Sequence, residues 1–139
     1  MEGSPLTQWL AAVDRLDAEA AVSALSPTAS ILAADGSRAQ GREQAARFLS
    51  QFVSQLRRVT HRVTAEWHVE DGVWIAEVQA TYELADYFMT GELPRVVIAR
   101  VGAEGIDELR IYGAHEHPLA DHPTGEEGMW VGGRWVPPL

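Results

Sequence analysis

From Val59 to Leu84, apolar and polar positions alternate with period two on either side of Glu70-Asp71-Gly72. Asp-Gly between two alternating runs is a strong short-range hairpin signal. The pattern therefore predicts strands over Val59–Val69 and Val73–Leu84. In the second run Trp74, Ala76, Val78, Ala80 and Tyr82 fall on one face, and Glu77, Gln79, Thr81 and Glu83 on the other. In the first, His61, Val63, Ala65, Trp67 and Val69 are expected to oppose Arg62, Thr64, Glu66 and His68. One face of a twisted antiparallel sheet is then apolar and must be covered. That face mixes small alanines (Ala65, Ala76, Ala80) with large rings (Trp67, Trp74, Tyr82). Such a face either closes completely or leaves a pocket beneath it, and the pattern admits both.

Helical spacing dominates upstream. Leu6, Trp9, Leu10, Val13 and Leu16 form one stripe over Pro5–Leu16, with Ser4 as cap and Pro5 at the first helical position. Asp17 is a second cap, opening a short helix Ala18–Leu25 that Ser26-Pro27 ends. A short strand Ala29–Ala33 and a turn Asp35-Gly36-Ser37 follow. Gly41 precedes a third helix, Arg42–Leu56, with Ala45, Phe48, Leu49, Phe52, Val53 and Leu56 on one face. After the hairpin comes a connection, Ala85–Pro94, that holds Tyr87, Phe88 and Met89. It is either a long hairpin tip or a loop folded over something apolar. Strands are expected over Arg95–Val101 and Ile106–Gly113. Leu109, Ile111 and Gly113 share a face whose parity extends to His115 and His117.

Beyond Pro118 the composition changes. Gly132-Gly133 between two Trp-Val pieces predicts a small hairpin, and two tryptophans are expensive to leave in water. The chain is therefore divided into a domain over 1–117 and an extension over 118–139. The extension is expected to dock on the domain or on a partner subunit.

Composition narrows the function classes. A chain of 139 residues with 46% hydrophobic and 22% charged residues fits one domain with a real core. The net charge of −9 argues against nucleic acid and anionic membrane surfaces as partners. Without cysteine there is no disulfide, thiol nucleophile or thiolate metal site. The start MEGSPLTQ has no basic-then-apolar leader, and no apolar stretch is long enough to span a bilayer, so a cytoplasmic protein is expected. Gly-x-Ser-x-Gly and the glycine-rich nucleotide motifs are absent.

Several polar residues are candidates for chemistry. His61 has the best inward parity of the histidines and an imidazole titrates near neutrality, which suits a general base. Tyr82 ends the inward row, where its hydroxyl is available to a ligand; a core aromatic with a wet tip is the plainer alternative. Asp35 sits before Gly36, where an Asx-turn accounts for it without catalysis. His115 and His117 share a strand face as a metal pair would, but a third ligand such as His122 or Asp121 is needed, so no metal and no cofactor are expected.

The order helix, helix, short strand, helix, then four antiparallel strands resembles the NTF2-like superfamily. Its SnoaL-like group, with ketosteroid isomerase relatives and polyketide cyclases, is the nearest in appearance. The matching pieces are Asp17-Ala18-Glu19-Ala20, Gly41-Arg42-Glu43-Gln44-Ala45 and Glu70-Asp71-Gly72, and the resemblance covers residues 6–117. It implies an α+β, cone-shaped barrel in which a curved antiparallel sheet wraps around three N-terminal helices. It also implies a small hydrophobic ligand and a homodimer. The isomerase pattern is not matched: its tyrosine position falls on Trp9, its base on Ala33 and its protonated aspartate near Val97. A slip of one or two residues brings Asp35 to the base position. The pocket is then expected to be lined by Trp9, Val13, Trp67, Trp74, Val78, Val97, Ile111 and His115. Two functions follow. One is an isomerase, cyclase or dehydratase working by proton transfer, with His61 as base, Tyr82 or Trp9 as donors and Asp35 as a further carboxylate. The other is a non-catalytic binding or dimerisation module whose pocket is closed by its own core or tail.

Overall fold

Ser4 starts the first helix by accepting a hydrogen bond at Oγ from the Thr7 amide (3.0 Å), with Pro5 following where its missing N–H costs nothing. The structure, a computed structural model, describes residues 3–34 and 36–113, and the backbone of 129–131 and 134–136. Helix α1 (Pro5–Asp14) buries Leu6, Trp9, Leu10, Ala12 and Val13. It stops before Leu16, which takes a left-handed φ of 57° and so leaves the predicted stripe early. Asp17 then caps α2 (Ala18–Ser23) by accepting from the Ala20 amide at 3.0 Å. Helix α3 (Arg42–Ser54) buries Ala45 and Leu49, and it ends before Leu56, which belongs to the next strand.

Strands β1 (Leu25–Leu32), β2 (Arg38–Gln40), β3 (Leu56–Glu70), β4 (Val73–Leu84), β5 (Leu93–Gly102) and β6 (Gly105–Gly113) form one curved sheet in the order β2-β1-β6-β5-β4-β3. The expectation of an antiparallel sheet needs one correction: β1 pairs with β6 in parallel. Strand β1 also begins earlier than expected. Ser26-Pro27 lies inside it, at the register shift between Leu25 and Ser30, where a proline without a donor is tolerated. A further hairpin, β7 (Met129–Val131) and β8 (Arg134–Val136), pairs Trp130 with Trp135. The docking expected of 118–139 concerns side chains outside the described residues.

The helices cover one face of the sheet. Leu6, Leu25, Ile31, Leu49, Leu93, Leu109 and Val78 are fully buried between them. Each such side chain contributes roughly 1.5–3 kcal/mol relative to exposure.

The long hairpin carries the most consequential irregularity. His61 pairs with Ala80 and Val63 with Val78, as simple alternation predicts. Between Val63 and Ala65 the register shifts, so that Ala65 faces Glu77 and Trp67 faces Ile75. An extra residue in one strand inverts every later side chain. Trp67, expected on the inner face, therefore stands on the outer one and is 48% exposed. Glu66 takes the inner position, where its carboxylate accepts a hydrogen bond from the Ser4 hydroxyl at the head of α1. The connection after β4 proves to be a tight hairpin tip. The Leu84 amide donates to the Phe88 carbonyl (2.8 Å), and Thr90 bonds the Tyr82 backbone through its own amide (3.0 Å) and its Oγ1 (3.1 Å).

The turn joining β3 to β4 depends on Gly72. Its φ is +78°, and a Cβ there would lie 2.5 Å from the Val101 carbonyl oxygen. Gly36 also has positive φ (+88°), but nothing lies within 4 Å of its Cβ direction. Gly72→Ala is expected to cost about 1–2 kcal/mol for the left-handed conformation alone and more for the clash. Gly36→Ala is expected to show only the conformational part. Urea unfolding of both variants checks this, and equal losses would refute the role given to the Val101 carbonyl.

Candidate functional site

The alanines of β4 leave room on the inner face of the sheet. Over them lies a cavity walled by Trp9, Leu10 and Val13 of α1, Phe48, Leu49 and Phe52 of α3, and Ala33 and Ala34 after β1. Its floor is His61 of β3, Tyr82 of β4, Arg95 and Val97 of β5, and Ile111 of β6. The wall is mostly apolar, and about 50 Å³ is open to the centre of a water-sized sphere. A void of that size admits a few waters or a small organic molecule.

Alternation brings His61 inward, and helix α1 supplies its partner. Asp14, the last residue of α1, places Oδ1 2.6 Å from His61 Nδ1, and its Oδ2 accepts from the His61 amide at 3.2 Å. The His61 side chain is 9% exposed and that of Asp14 29%. A carboxylate at Nδ1 fixes the tautomer: Nδ1 donates and Nε2 keeps its lone pair. The Tyr82 ring meets the His61 ring edge to face, with centroids 6.3 Å apart, and meets Phe52 the same way at 5.9 Å. Burial pushes the Tyr82 hydroxyl above the ordinary tyrosine range. The Arg95 guanidinium works against that shift through its charge, while the Asp14 charge adds to it.

Arg95 is the residue that sequence reasoning missed. It shares the inward parity of Val97 and Ala99 in β5 and is only 3% exposed. That parity was the available signal. Nη1 donates to the Pro94 carbonyl at 3.2 Å, whereas Nη2 is buried without a hydrogen-bond partner among the described residues. The indole N–H of Trp9 is a second buried donor without a partner among the described residues. Asp14 was missed as well. Its position four residues after Leu10 continues the apolar stripe of α1, but nothing local links it to His61.

The expected site residues are thus partly brought together. Trp9, Val13, His61, Tyr82, Val97 and Ile111 all line the cavity. Trp67 does not, because of the register shift in β3. Val78 is fully buried in the core and leaves the cavity wall to its neighbours. Trp74 is half-buried and stacks on His68, with ring centroids 4.0 Å apart and planes within 4°. Asp35 and His115 lie outside the described residues, as does the His115–His117 pair. Among the described residues no group of three or more His, Asp or Glu side chains is placed to hold a metal ion. No helix there is long and apolar enough to cross a membrane.

The raised Tyr82 value has a sign that can be measured. A group whose folded pKa exceeds its unfolded value, about 10 for tyrosine, stabilises the fold below that pH. The contribution is lost as pH rises through the folded value. Wild-type stability is expected to fall more steeply between about pH 10 and 11 than that of Tyr82→Phe, with parallel profiles below. Urea midpoints across that range test it, and parallel profiles throughout would overturn it.

No family model matches the sequence, and no curated protein matches it. Solved structures do. A hypothetical protein from Catenulispora acidiphila with a ketosteroid isomerase-like fold, in complex with trimethylamine, superposes with a TM-score of 0.70 at 17% identity, covering 81% of this chain and 86% of that one. An NTF2-like protein of unknown function from Burkholderia pseudomallei gives 0.68 at 11% identity, over 78% and 87% of the two chains. A SnoaL-like polyketide cyclase described for Shewanella putrefaciens gives 0.67 at 7% identity, over 78% and 85%. At these identities the likeness is one of fold, and the chain has the NTF2-like fold seen in SnoaL-like and ketosteroid isomerase-like proteins.

Proposed function

We propose that this chain binds a small hydrophobic molecule in the cavity and moves a proton on it, as an isomerase, cyclase or dehydratase of the SnoaL-like type. The observation that carries this reading is His61 in the wall of a mostly apolar cavity, with Asp14 behind it 2.6 Å from its Nδ1. A neutral imidazole whose Nδ1 is held by a carboxylate leaves the Nε2 lone pair free, the arrangement that general-base catalysis needs. In the proposed step Nε2 takes a proton from a carbon beside a carbonyl. The electron pair moves onto the carbonyl oxygen, which Tyr82 or Arg95 stabilises as the charge develops. The imidazolium then returns the proton to another carbon, or to a leaving hydroxyl. Trp9, Val13, Val97 and Ile111 supply apolar contact, and no cofactor enters the step. The trimethylamine held by the Catenulispora protein supports a small ligand for this fold.

The sheet is taken as a cone-shaped barrel closed over the three N-terminal helices within 1–117. The extension 118–139 is taken to dock on that domain or on a partner subunit. The small size of the cavity favours one other reading, a binding or dimerisation module whose pocket is closed by its own core or tail.

Proton transfer is tested with simple ketones. The chain is expected to speed both α-proton exchange of cyclohexanone in heavy water, followed by NMR, and conversion of 3-cyclohexenone to 2-cyclohexenone, followed by absorbance. His61→Ala is expected to lower these rates by about 100-fold or more, and Asp14→Asn by less. Rates no faster than buffer for both ketones would overturn the catalytic reading and leave the closed module.

A homodimer is part of the same proposal. Its support is the edge strand β3, which exposes Val63, Trp67 and Val69 along its length, Val63 and Trp67 on opposite faces. An unpaired edge with apolar side chains invites a partner. Light scattering is expected to give twice the chain mass for the wild type and a shift toward the monomer for Trp67→Glu. An unchanged mass in the variant would remove β3 from the interface.

A further inference from the structure

We infer that the ligand of this cavity carries a carboxylate, and that Arg95 is the residue that selects it. This rests on the reading of the cavity as a ligand site, and it narrows the substrate class to small apolar acids.

The first observation is an unmatched charge. Arg47, Arg57, Arg62, Arg100 and Arg110 each meet a glutamate, and all lie toward solvent. Arg95 is 3% exposed, lines the cavity and forms no ion pair among the described residues. The nearby carboxylate, Asp14, is engaged by His61 through both of its oxygens. Among the described residues no carboxylate forms an ion pair with the one arginine in the cavity wall. A guanidinium out of water without a counterion is strongly unfavourable, so the site is incomplete without an anion.

The second observation is the space made for this side chain. Arg95 pairs with Gly113 in the β5–β6 register. A Cβ on Gly113 would lie 2.2 Å from Arg95 Nη1 and 2.9 Å from both Cδ and Cζ. The guanidinium therefore lies across the strand where only glycine leaves room. Nη1 is tied to the Pro94 carbonyl in that position, and Nη2 is left as a buried donor with no acceptor among the described residues. Tyr82 lines the same cavity. A carboxylate accepts from a guanidinium and a hydroxyl at once, and charged hydrogen bonds of this kind are the strong ones. The remaining wall (Trp9, Leu10, Phe48, Phe52 and Val97) offers only apolar contact or a lone N–H to the rest of the ligand.

Cyclohexanecarboxylate, its neutral isostere cyclohexanecarboxamide and cyclohexylamine form the test, used with the full chain at matched ionic strength. Calorimetry and thermal shift are expected to show the carboxylate binding about tenfold or more tighter than the amide, and the amine not at all. Arg95→Met is expected to bind carboxylate and amide alike, and to melt no lower than the wild type when free, because it removes an uncompensated charge. Gly113→Ala, which keeps the charge and displaces the guanidinium, is expected to weaken the carboxylate and spare the amide. Equal binding of acid and amide by the wild type would overturn the inference and leave the pocket reading intact. Binding of neither compound would overturn both. An Arg95→Met chain that melts far lower, or fails to fold, would make Arg95 a structural residue and also defeat the inference.

Discussion

The pairing of β3 with β4 decides what the cavity is made of. His61 stands opposite Ala80, and Val59 opposite Tyr82, so a large ring on one strand meets a small or branched side chain on the other. Had β3 slipped by one residue, His61 would have turned to the outer face while Tyr82, on β4, stayed inside. The extra residue after Val63 lies beyond them, and it limits the inversion to the distal half of the hairpin. There it brings Glu66 under the head of α1, where the Ser4 hydroxyl satisfies it. The irregularity therefore serves helix docking without disturbing the floor of the site.

Helix α1 answers to the same floor at its other end. Its C-terminal residue, Asp14, bonds both the ring and the amide of His61, so one side chain joins the end of a helix to the backbone of the sheet. A carboxylate at a helix C-terminus opposes the helix dipole. It is held there by the histidine, and the early left-handed turn at Leu16 keeps the helix from running past this contact.

Much of the fold was legible because β4 alternates cleanly and because Ser4, Asp17 and Gly72 carry their local signals in their own chemistry. The strand β2 and the parallel partnership of β1 with β6 were not, since a short strand's pairing is settled by what lies beside it. Trp67 was misplaced because the apolar alternation of β3 runs on through the register shift, and only the demand of Ser4 for a partner at Glu66 reveals it. Half of the candidate site followed from parity: His61, Tyr82, Val97 and Ile111. Arg95 obeyed the same rule, but a charged residue at the start of a strand reads as a solvated end. The Asp14–His61 contact spans 47 positions and belongs to tertiary structure alone.

These side chains also form an ordered row. His61, backed by Asp14, stands at one side of the cavity, Tyr82 on the next strand, and Arg95 on the strand after that. A negative charge thus lies behind one side and a positive charge stands at the other, with a hydroxyl between. In a wall of low polarity such fixed charges act at greater strength than in water. A ligand whose acidic carbon lies toward His61 and whose oxygens lie toward Arg95 is aligned with that field. The reverse orientation would set its negative oxygens against Asp14. Orientation in the proposed reaction is accordingly an electrostatic property of the row, and apolar contact with α1 and α3 supplies affinity without deciding direction.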